Sequence, residues 1–376
     1  MTTVQHHDRL VSLDAFRGAT IAGMILVNNP GTWSAIYPQL EHSEWNGWTF
    51  TDWIFPFFLW IVGVALTMSF AHRQERGDTK KMILLQALKR SLVIFGLGIF
   101  LAGFPYFNLS TIRIMGVLPR IAVCYFAASI LVLYTQSVKA QVCWLAGLLV
   151  SYWLIMRFIP VPGIGAGVFE KGRNFSAYID SLFLSGHMWW QTKTWDPEGI
   201  VSTLPAIGTT IFGVLTGRYL QSQHSKEEKT AWMFIAGNIL LLLGATLDMW
   251  LPINKSIWTS SYAIFMAGWA LVCFATFYWF VDVKGYSRWA KPFVIFGMNA
   301  ITVYVLSESI GKICDSLITF KEADGSEISL QGVIFKNFFL PLGQPVNASL
   351  IYALCFLLLL FLIAWILWRR KLFLKV

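Results

Sequence analysis

Long apolar stretches separated by shorter polar segments run through the whole chain. About 20 apolar residues are needed for a helix to cross a bilayer. Ten stretches meet that need: 12–30, 51–71, 83–104, 114–135, 140–158, 200–219, 231–250, 258–281, 289–310 and 347–368. Lys89 and Arg90 interrupt the third, near enough to one end for their side chains to snorkel to the interface. The run Leu330 to Leu342 is apolar but too short to span, and reads as re-entrant or interfacial. The pattern predicts an all-α polytopic membrane protein: about ten transmembrane helices in one bundle, with residues 1–376 as a single domain.

Composition agrees. Charged residues make up 13% of the 376 positions, against about 25% in soluble domains, and hydrophobic residues 56%. The net charge of +9 does not argue for nucleic acid, because the cations recur between apolar runs instead of forming one patch. Cys124, Cys143, Cys273, Cys314 and Cys355 are odd in number and lack paired spacing, which argues against a disulfide framework or a metal site. No cleavable leader is expected: the first apolar run follows Arg9 and is interrupted by Asp14 and Arg17.

The cations set an orientation. With the N-terminus inside, the inner segments hold Arg9, Arg73, Arg76, Lys80, Lys81, Lys139, Arg218, Lys226, Lys229, Lys284, Arg288, Lys291, Arg369, Arg370, Lys371 and Lys375. The short outer loops 31–50, 105–112 and 251–257 hold only Lys255. By the positive-inside rule both termini are cytoplasmic, and loops 31–50, 159–199 and 311–346 are extracytoplasmic.

Ionisable residues at membrane depth are costly, so each is a functional candidate. The expected topology brings many of them to the outer side. His42 lies in an outer loop and Asp52 at the outer start of the second span. Arg113 opens the fourth, with Arg120 about 10 Å deeper on the same face. Asp248 and Glu308 end the seventh and ninth spans, Asn299 lies below Glu308, and Asn28 and Asn29 end the first. Plainer readings stand beside these. Asp52 can cap its helix, Arg113 can snorkel, and Asp14 can pair with Arg17 three residues away. Arg120 is harder to dismiss, because mid-span it needs an anionic partner or a polar cavity. At the inner side, Arg17, Lys89 and Arg90 suit lipid headgroups or the phosphates of a nucleotide-bearing cofactor. No Walker or GxGxxG motif supports ATP or NAD.

A histidine flanked by carboxylates can act as a general base or carry an acyl group. It can equally relay protons in a proton-coupled transporter. Residue chemistry alone leaves both open.

Several motifs separate them. Arg9-Leu10-Val11-Ser12-Leu13-Asp14-Ala15-Phe16-Arg17-Gly18, the His42-to-Pro56 stretch with its His-x-x-Trp-Asn-Gly core, Arg113-Ile114-Met115-Gly116-Val117-Leu118-Pro119-Arg120, Trp195-Asp196-Pro197-Glu198-Gly199, Pro252-Ile253-Asn254-Lys255 and Gly297-Met298-Asn299 occur in order along the chain. Together they resemble the heparan-α-glucosaminide N-acetyltransferase family. The resemblance implies a transmembrane acyltransferase domain that takes acetyl from cytoplasmic acetyl-CoA and delivers it to an amino group of glucosamine on the far side. It places the family's histidine on His42 and its asparagine on Asn28, or on Asn29 beside it; on residue chemistry Asp52 or Glu41 could orient the histidine, and Asp52 is taken as its partner. Arg17, Lys89, Arg90, Arg113 and Arg120 are then candidates to hold acetyl-CoA, and Glu41, Trp45, Asn46, Asp196, Glu198, Asp248, Asn299 and Glu308 to bind the acceptor. Pro119 stands where a glutamine is usual, and Ser307 where a histidine is usual. The expected acceptor is an amino sugar or cell-envelope glycan, and the expected setting a bacterial inner membrane. O-acetylation of such a glycan is the variant reading. Membrane lipid is an expected partner, a homodimer is left open, and no metal or nucleic acid is expected.

Overall fold

The computed structural model describes residues 10–322 and 325–373. Arg9 and Lys375 lie outside the described residues. The chain forms helices α1 (Val11–Asn28), α2 (Thr51–Glu75), α3 (Lys80–Gly103), α4 (Val117–Tyr134), α5 (Val138–Phe158), α6 (Phe175–Phe183), α7 (Thr203–Leu220), α8 (Lys226–Leu247) and α9 (Ser260–Tyr278). Then follow α10 (Lys291–Met298), α11 (Ala300–Lys312), α12 (Leu330–Ile334) and α13 (Pro345–Arg369). A small antiparallel hairpin pairs Thr319–Lys321 with Glu327–Ser329.

Polar side chains start several of these helices. Thr79, Asn174, Ser225 and Thr259 accept hydrogen bonds from the first-turn amides of α3, α6, α8 and α9, donors that the helix itself leaves unpaired. Pro345 opens α13, where its missing N–H costs nothing.

Among the described residues, seven helices are long and apolar enough to cross a membrane, or eight if α10 and α11 form one broken span. These apolar helices mark an integral membrane protein. Burial sorts them. About two-thirds of the apolar windows of α2, α4 and α9 are buried (67%, 61% and 61%), but under a third of α3, α5, α8 and α13 (28%, 22%, 22% and 28%). The second group turns side chains such as Leu92, Leu242 and Leu358 outward, as a helix does when its outer solvent is hydrocarbon.

Two expected spans are helices of more polar content. α1 carries Asp14 and Arg17, and α7 carries Thr209, Thr210 and Thr216. Both pack in the interior through glycines. A Cβ on Gly63 of α2 would meet the Thr210 carbonyl oxygen at 2.0 Å, and one on Gly213 of α7 the Trp60 carbonyl oxygen at 1.9 Å. Gly18 of α1 and Gly297 of α10 make the same kind of approach to the Phe293 and Asp14 carbonyls. Small residues let helix backbones come this close.

The expected straight helix over 289–310 is broken. α10 and α11 meet at 81°. Asn299 sits at the break outside helical geometry and donates to the Leu372 carbonyl at 3.2 Å. Gly297, pressed on the Asp14 carbonyl, holds α10 against α1 up to that point.

Five connections gather at one end of the bundle. Trp45 Nε1 donates to the Phe169 carbonyl at 2.9 Å, and Asn254 Nδ2 to Asn46 Oδ1 at 3.1 Å. The Ile114 amide reaches the His187 carbonyl at 3.1 Å, Tyr106 Oη the Ser316 carbonyl at 2.8 Å, and Gln331 the Pro30 carbonyl at 2.8 Å. These are the segments expected to share one side.

Candidate active site

His42, Asp52 and Lys255 meet at that end. His42 Nδ1 lies 2.7 Å from Asp52 Oδ1. Asp52 is fully buried at the start of α2, while the His42 ring is half-exposed. Oδ2 of Asp52 accepts from the Ser43 amide at 3.1 Å, the Thr49 amide at 3.0 Å and the Thr49 hydroxyl at 3.2 Å. A group surrounded by donors in this way acts as a carboxylate acceptor. It serves the loop and the histidine, and by accepting from the Thr49 amide three residues back it also closes the start of α2 in the manner of a capping box.

Local sequence explains why this turn is firm. Pro56 lies four residues after Asp52 and has no N–H, so the Asp52 carbonyl loses its helical donor. Tyr262 Oη supplies one instead, at 2.7 Å from α9. The start of α2 is thereby fixed to the start of α9.

Lys255 Nζ stands 3.0 Å from both His42 ring nitrogens and 3.7 Å from Asp52 Oδ1. With Nδ1–H directed at Asp52, the neutral tautomer leaves Nε2 unprotonated; the ammonium, equidistant from both ring nitrogens, sits against the ring and not along the Nε2 lone pair. Desolvation, then the Lys255 charge, hold the His42 pKa below 6.5 against the opposing pull of Asp52. Desolvation also lowers Lys255, with Asp52 and Glu198 opposing.

The Lys255 loop is rigidly supported. The Asn254 side chain donates to Asn46 and accepts from the Ile257 amide at 3.1 Å, and the Gly47 amide donates to the Ile253 carbonyl at 2.8 Å. Trp258 takes a left-handed backbone conformation (φ 48°) and donates from Nε1 to Thr209 at 3.1 Å.

A second charged group lies beside the first. Arg113 makes a fork to Asp196 (Nε–Oδ2 2.8 Å, Nη2–Oδ1 2.6 Å) and also bonds Glu198 through Nη2. Asp196 and Glu198 are buried. Glu198, which desolvation would raise, is held below the usual carboxylate range by Arg113, then Arg120 and Lys255. Arg113 is raised in turn: its carboxylate partners outweigh desolvation. Asp180, buried beneath them, accepts from the Asp196 and Ile200 amides at 3.2 and 2.9 Å, and desolvation pushes it up to about 6. Arg120 is fully buried. Its Nη2 donates to the Gly199 carbonyl at 3.0 Å and to the Ser202 hydroxyl, and its guanidinium lies 5.2 Å from the Trp258 ring centre. Its Nε and Nη1 have no hydrogen-bond partner among the described residues.

The remaining expected residues divide. Trp45 packs edge-on to Trp195 (5.3 Å), and Asn46 joins Asn254, so both build the site's frame. Asn28 Nδ2 reaches Glu308 Oε1 at 3.4 Å, and Asn29 bonds Ser307 at 3.1 Å. Glu41 is exposed and offers its carbonyl to Thr49 at 2.5 Å. Asp248 is exposed and accepts from the Ile253 amide at 2.5 Å, shaping the turn before Lys255.

Others stand elsewhere. Asn299 is buried at the α10–α11 break, on the C-terminal segment. Arg17 pairs with Asp14 at 3.1 Å against α10, and Arg90 lies over the Tyr125 ring of α4. Lys89 is exposed on α3. Arg17 is thus engaged between α1 and α10, and Arg90 between α3 and α4. Among the described residues no group of His, Cys, Asp and Glu is arranged to hold a metal.

Lys255, Asp180 and Tyr262 were not anticipated as site residues. Lys255 had a visible signal as the one cation of the short outer loops, and it and Tyr262 fall in the family-like stretch 252–262.

A family model described as heparan-alpha-glucosaminide N-acetyltransferase, catalytic, matches residues 9–254. The chain belongs to this family. The matched segment carries His42, Asp52, Arg113, Arg120, Asp196 and Glu198 and stops one residue before Lys255. The mouse heparan-alpha-glucosaminide N-acetyltransferase is 28% identical over 423 aligned positions, covering 98% of this chain and 61% of the relative. The human protein of the same name is 29% identical over 427, covering 98% and 60%. The chain thus spans about three-fifths of the length of these relatives.

Proposed function

We propose that this chain transfers acetyl from cytoplasmic acetyl-CoA to the amino group of glucosamine, or of a related amino sugar or glycan, on the extracytoplasmic side of a bacterial inner membrane. The observation that carries the reading is His42: half-open, neutral, its Nδ1 oriented by a buried carboxylate and its Nε2 lone pair turned to where an acceptor amine can approach. The acceptor nitrogen attacks the thioester carbonyl, the carbon–sulfur bond breaks, and CoA leaves as thiolate. The proton lost by the nitrogen passes to Nε2. In the two-step variant Nε2 carries the acetyl itself. The Lys255 ammonium, in contact with the same nitrogen, faces the negative charge that develops on the carbonyl oxygen.

Acetyl-CoA fits one further feature. Arg120 keeps two buried donors without partners, and carbonyl oxygens of the donor's pantetheine arm would satisfy them. Arg113 is engaged through Nε and Nη2 by Asp196 and Glu198, so its role in this reading is to hold the floor of the site. The same proposal takes α1 and α7 as spans. That gives ten spans with the broken pair counted once, both termini cytoplasmic, and residues 1–376 as a single acyltransferase domain.

The test is CoA release by purified protein given acetyl-CoA and glucosamine, with His42→Ala losing it. If no amino sugar elicits CoA release while reconstituted vesicles accumulate a solute, a proton-coupled transporter is the better reading. An ester product by mass spectrometry would make the protein an O-acetyltransferase.

A further inference from the structure

The end of the bundle away from His42 carries a groove that the acyl-transfer reading does not use. It lies between α10 and the last turns of α13, with a volume of about 390 Å³. Its walls are apolar: Pro292 and Ile295 from α10, and Phe361, Leu362 and Trp365 from α13. Its rim is cationic, formed by Arg288 and Lys291, and no lining residue is acidic. The depth is set by α13, whose first turns are tied to the His42 end through the Ser349–Thr32 hydrogen bond. Trp365 is sixteen residues further on, about 24 Å along the helix. The groove therefore opens at the opposite membrane interface, among the basic segments.

Two contacts hold cations at its mouth. Lys291 Nζ lies 5.5 Å from the Trp368 ring centre, and Arg369 Cζ 5.2 Å from that of Trp365. Tryptophans at headgroup depth with cations over their rings are an interfacial arrangement. An apolar gutter running into hydrocarbon under a cationic mouth matches one ligand shape: acyl chains below, a phosphate above. Basic pockets between transmembrane helices take anionic headgroups on this basis.

We infer that the α10–α13 groove is a binding site for an anionic phospholipid, with acyl chain along Ile295, Phe361 and Leu362 and headgroup phosphate between Arg288, Lys291 and Arg369. The groove takes no part in acyl transfer at His42. It gives α13, otherwise a peripheral helix, a lipid strap to α10. Because α10 bears on α1 through Gly297 and Gly18, an occupied groove braces the first helix of the bundle.

Native mass spectrometry of the detergent-purified protein tests this, with phosphatidylglycerol, phosphatidylcholine and CoA added separately. The wild type should retain phosphatidylglycerol as a discrete adduct, and phosphatidylcholine much less. Arg288→Gln, Lys291→Gln and Arg369→Gln should each weaken retention about fivefold, the effect of one cation near a charged lipid surface. Leu362→Trp, which fills the gutter and leaves the cations in place, should also lose the lipid. Size-exclusion elution and melting temperature show that the variants are folded. Equal retention of the two lipids, undiminished retention by the triple Gln variant, or displacement of the lipid by CoA would overturn the inference. So would a wild-type dimer that takes up lipid only after dissociation, because a second copy would then be the occupant.

Discussion

Lys255 Nζ and His42 Nε2 stand 3.0 Å apart although 213 positions separate them in the chain. An ammonium at that distance opposes a proton on the ring and attracts a negative charge beside it. Lys255→Met should therefore have two effects. Turnover with acetyl-CoA should fall by about 10²-fold or more, as when a donor to a developing oxyanion is removed. The acid limb of the pH–rate profile should move up, because the variant removes one of the causes that hold His42 below 6.5. A lysine that only props its loop would lower the rate and leave the limb in place.

The wild-type profile has a definite sign. The neutral ring is the working form, so activity should rise as pH passes upward through the His42 pKa, which lies below 6.5. Initial rates of CoA release between pH 4.5 and 8, taken at a fixed concentration of the unprotonated acceptor amine, would show it, and a half-rise above pH 7 would contradict it.

Asp52→Asn keeps the size of the side chain but presents an amide where three loop donors and the ring converge. Turnover should drop by about 10²- to 10⁴-fold, the range for a carboxylate that orients a catalytic histidine. Folding should weaken by only about 1–3 kcal/mol, the cost of buried donors left unpaired. Rate and melting temperature measured on one preparation separate the two effects.

Arg113→Met strands Asp196 and Glu198 in a buried setting. Removing one partner of such a group costs about 3–5 kcal/mol, which should appear as a large fall in melting temperature at neutral pH. The folded pKa of Glu198 is depressed, so the stability it contributes is present above its unfolded value near 4.5 and is lost as pH falls through the folded one. The gap between wild type and variant should accordingly narrow in acid.

Gly213→Ala tests the helix crossing. Its added methyl would stand 1.9 Å from the Trp60 carbonyl oxygen, so α2 and α7 would have to separate. Overpacking of this kind costs about 1–3 kcal/mol or more. Detergent-solubilised yield and melting temperature should both fall, while Gly147→Ala, on an open face of α5, should be silent.

The helices were legible because apolar length is itself the physical requirement for crossing hydrocarbon. The break at Asn299 was not: 289–310 reads as one apolar run, and the bend depends on Gly297 meeting Asp14 and Asn299 meeting Leu372. At the site, His42 and Asp52 could be paired in advance because ten positions of loop separate them. Lys255 was visible as a charge that helped to orient the chain and as the end of a family-like motif, with no role attached to it. Its contact with His42 depends on two loops meeting, which no local pattern records. Arg113 was read as a cofactor holder. Its pairing with Asp196 and Glu198 follows from the fold of loop 159–202, which has little regular structure of its own.

The loops carrying His42 and Lys255 are joined by Asn46 to Asn254, Gly47 to Ile253, and the ammonium to the ring. Three ties within a few residues make the two loops one hereditary unit. A change at Asn254 leaves Asn46 without its donor unless position 46 changes too, and the same holds for 255 and 42. In an alignment of relatives these pairs should covary, and a chimera that exchanges 251–259 without 41–52 should inherit the helices and lose the site.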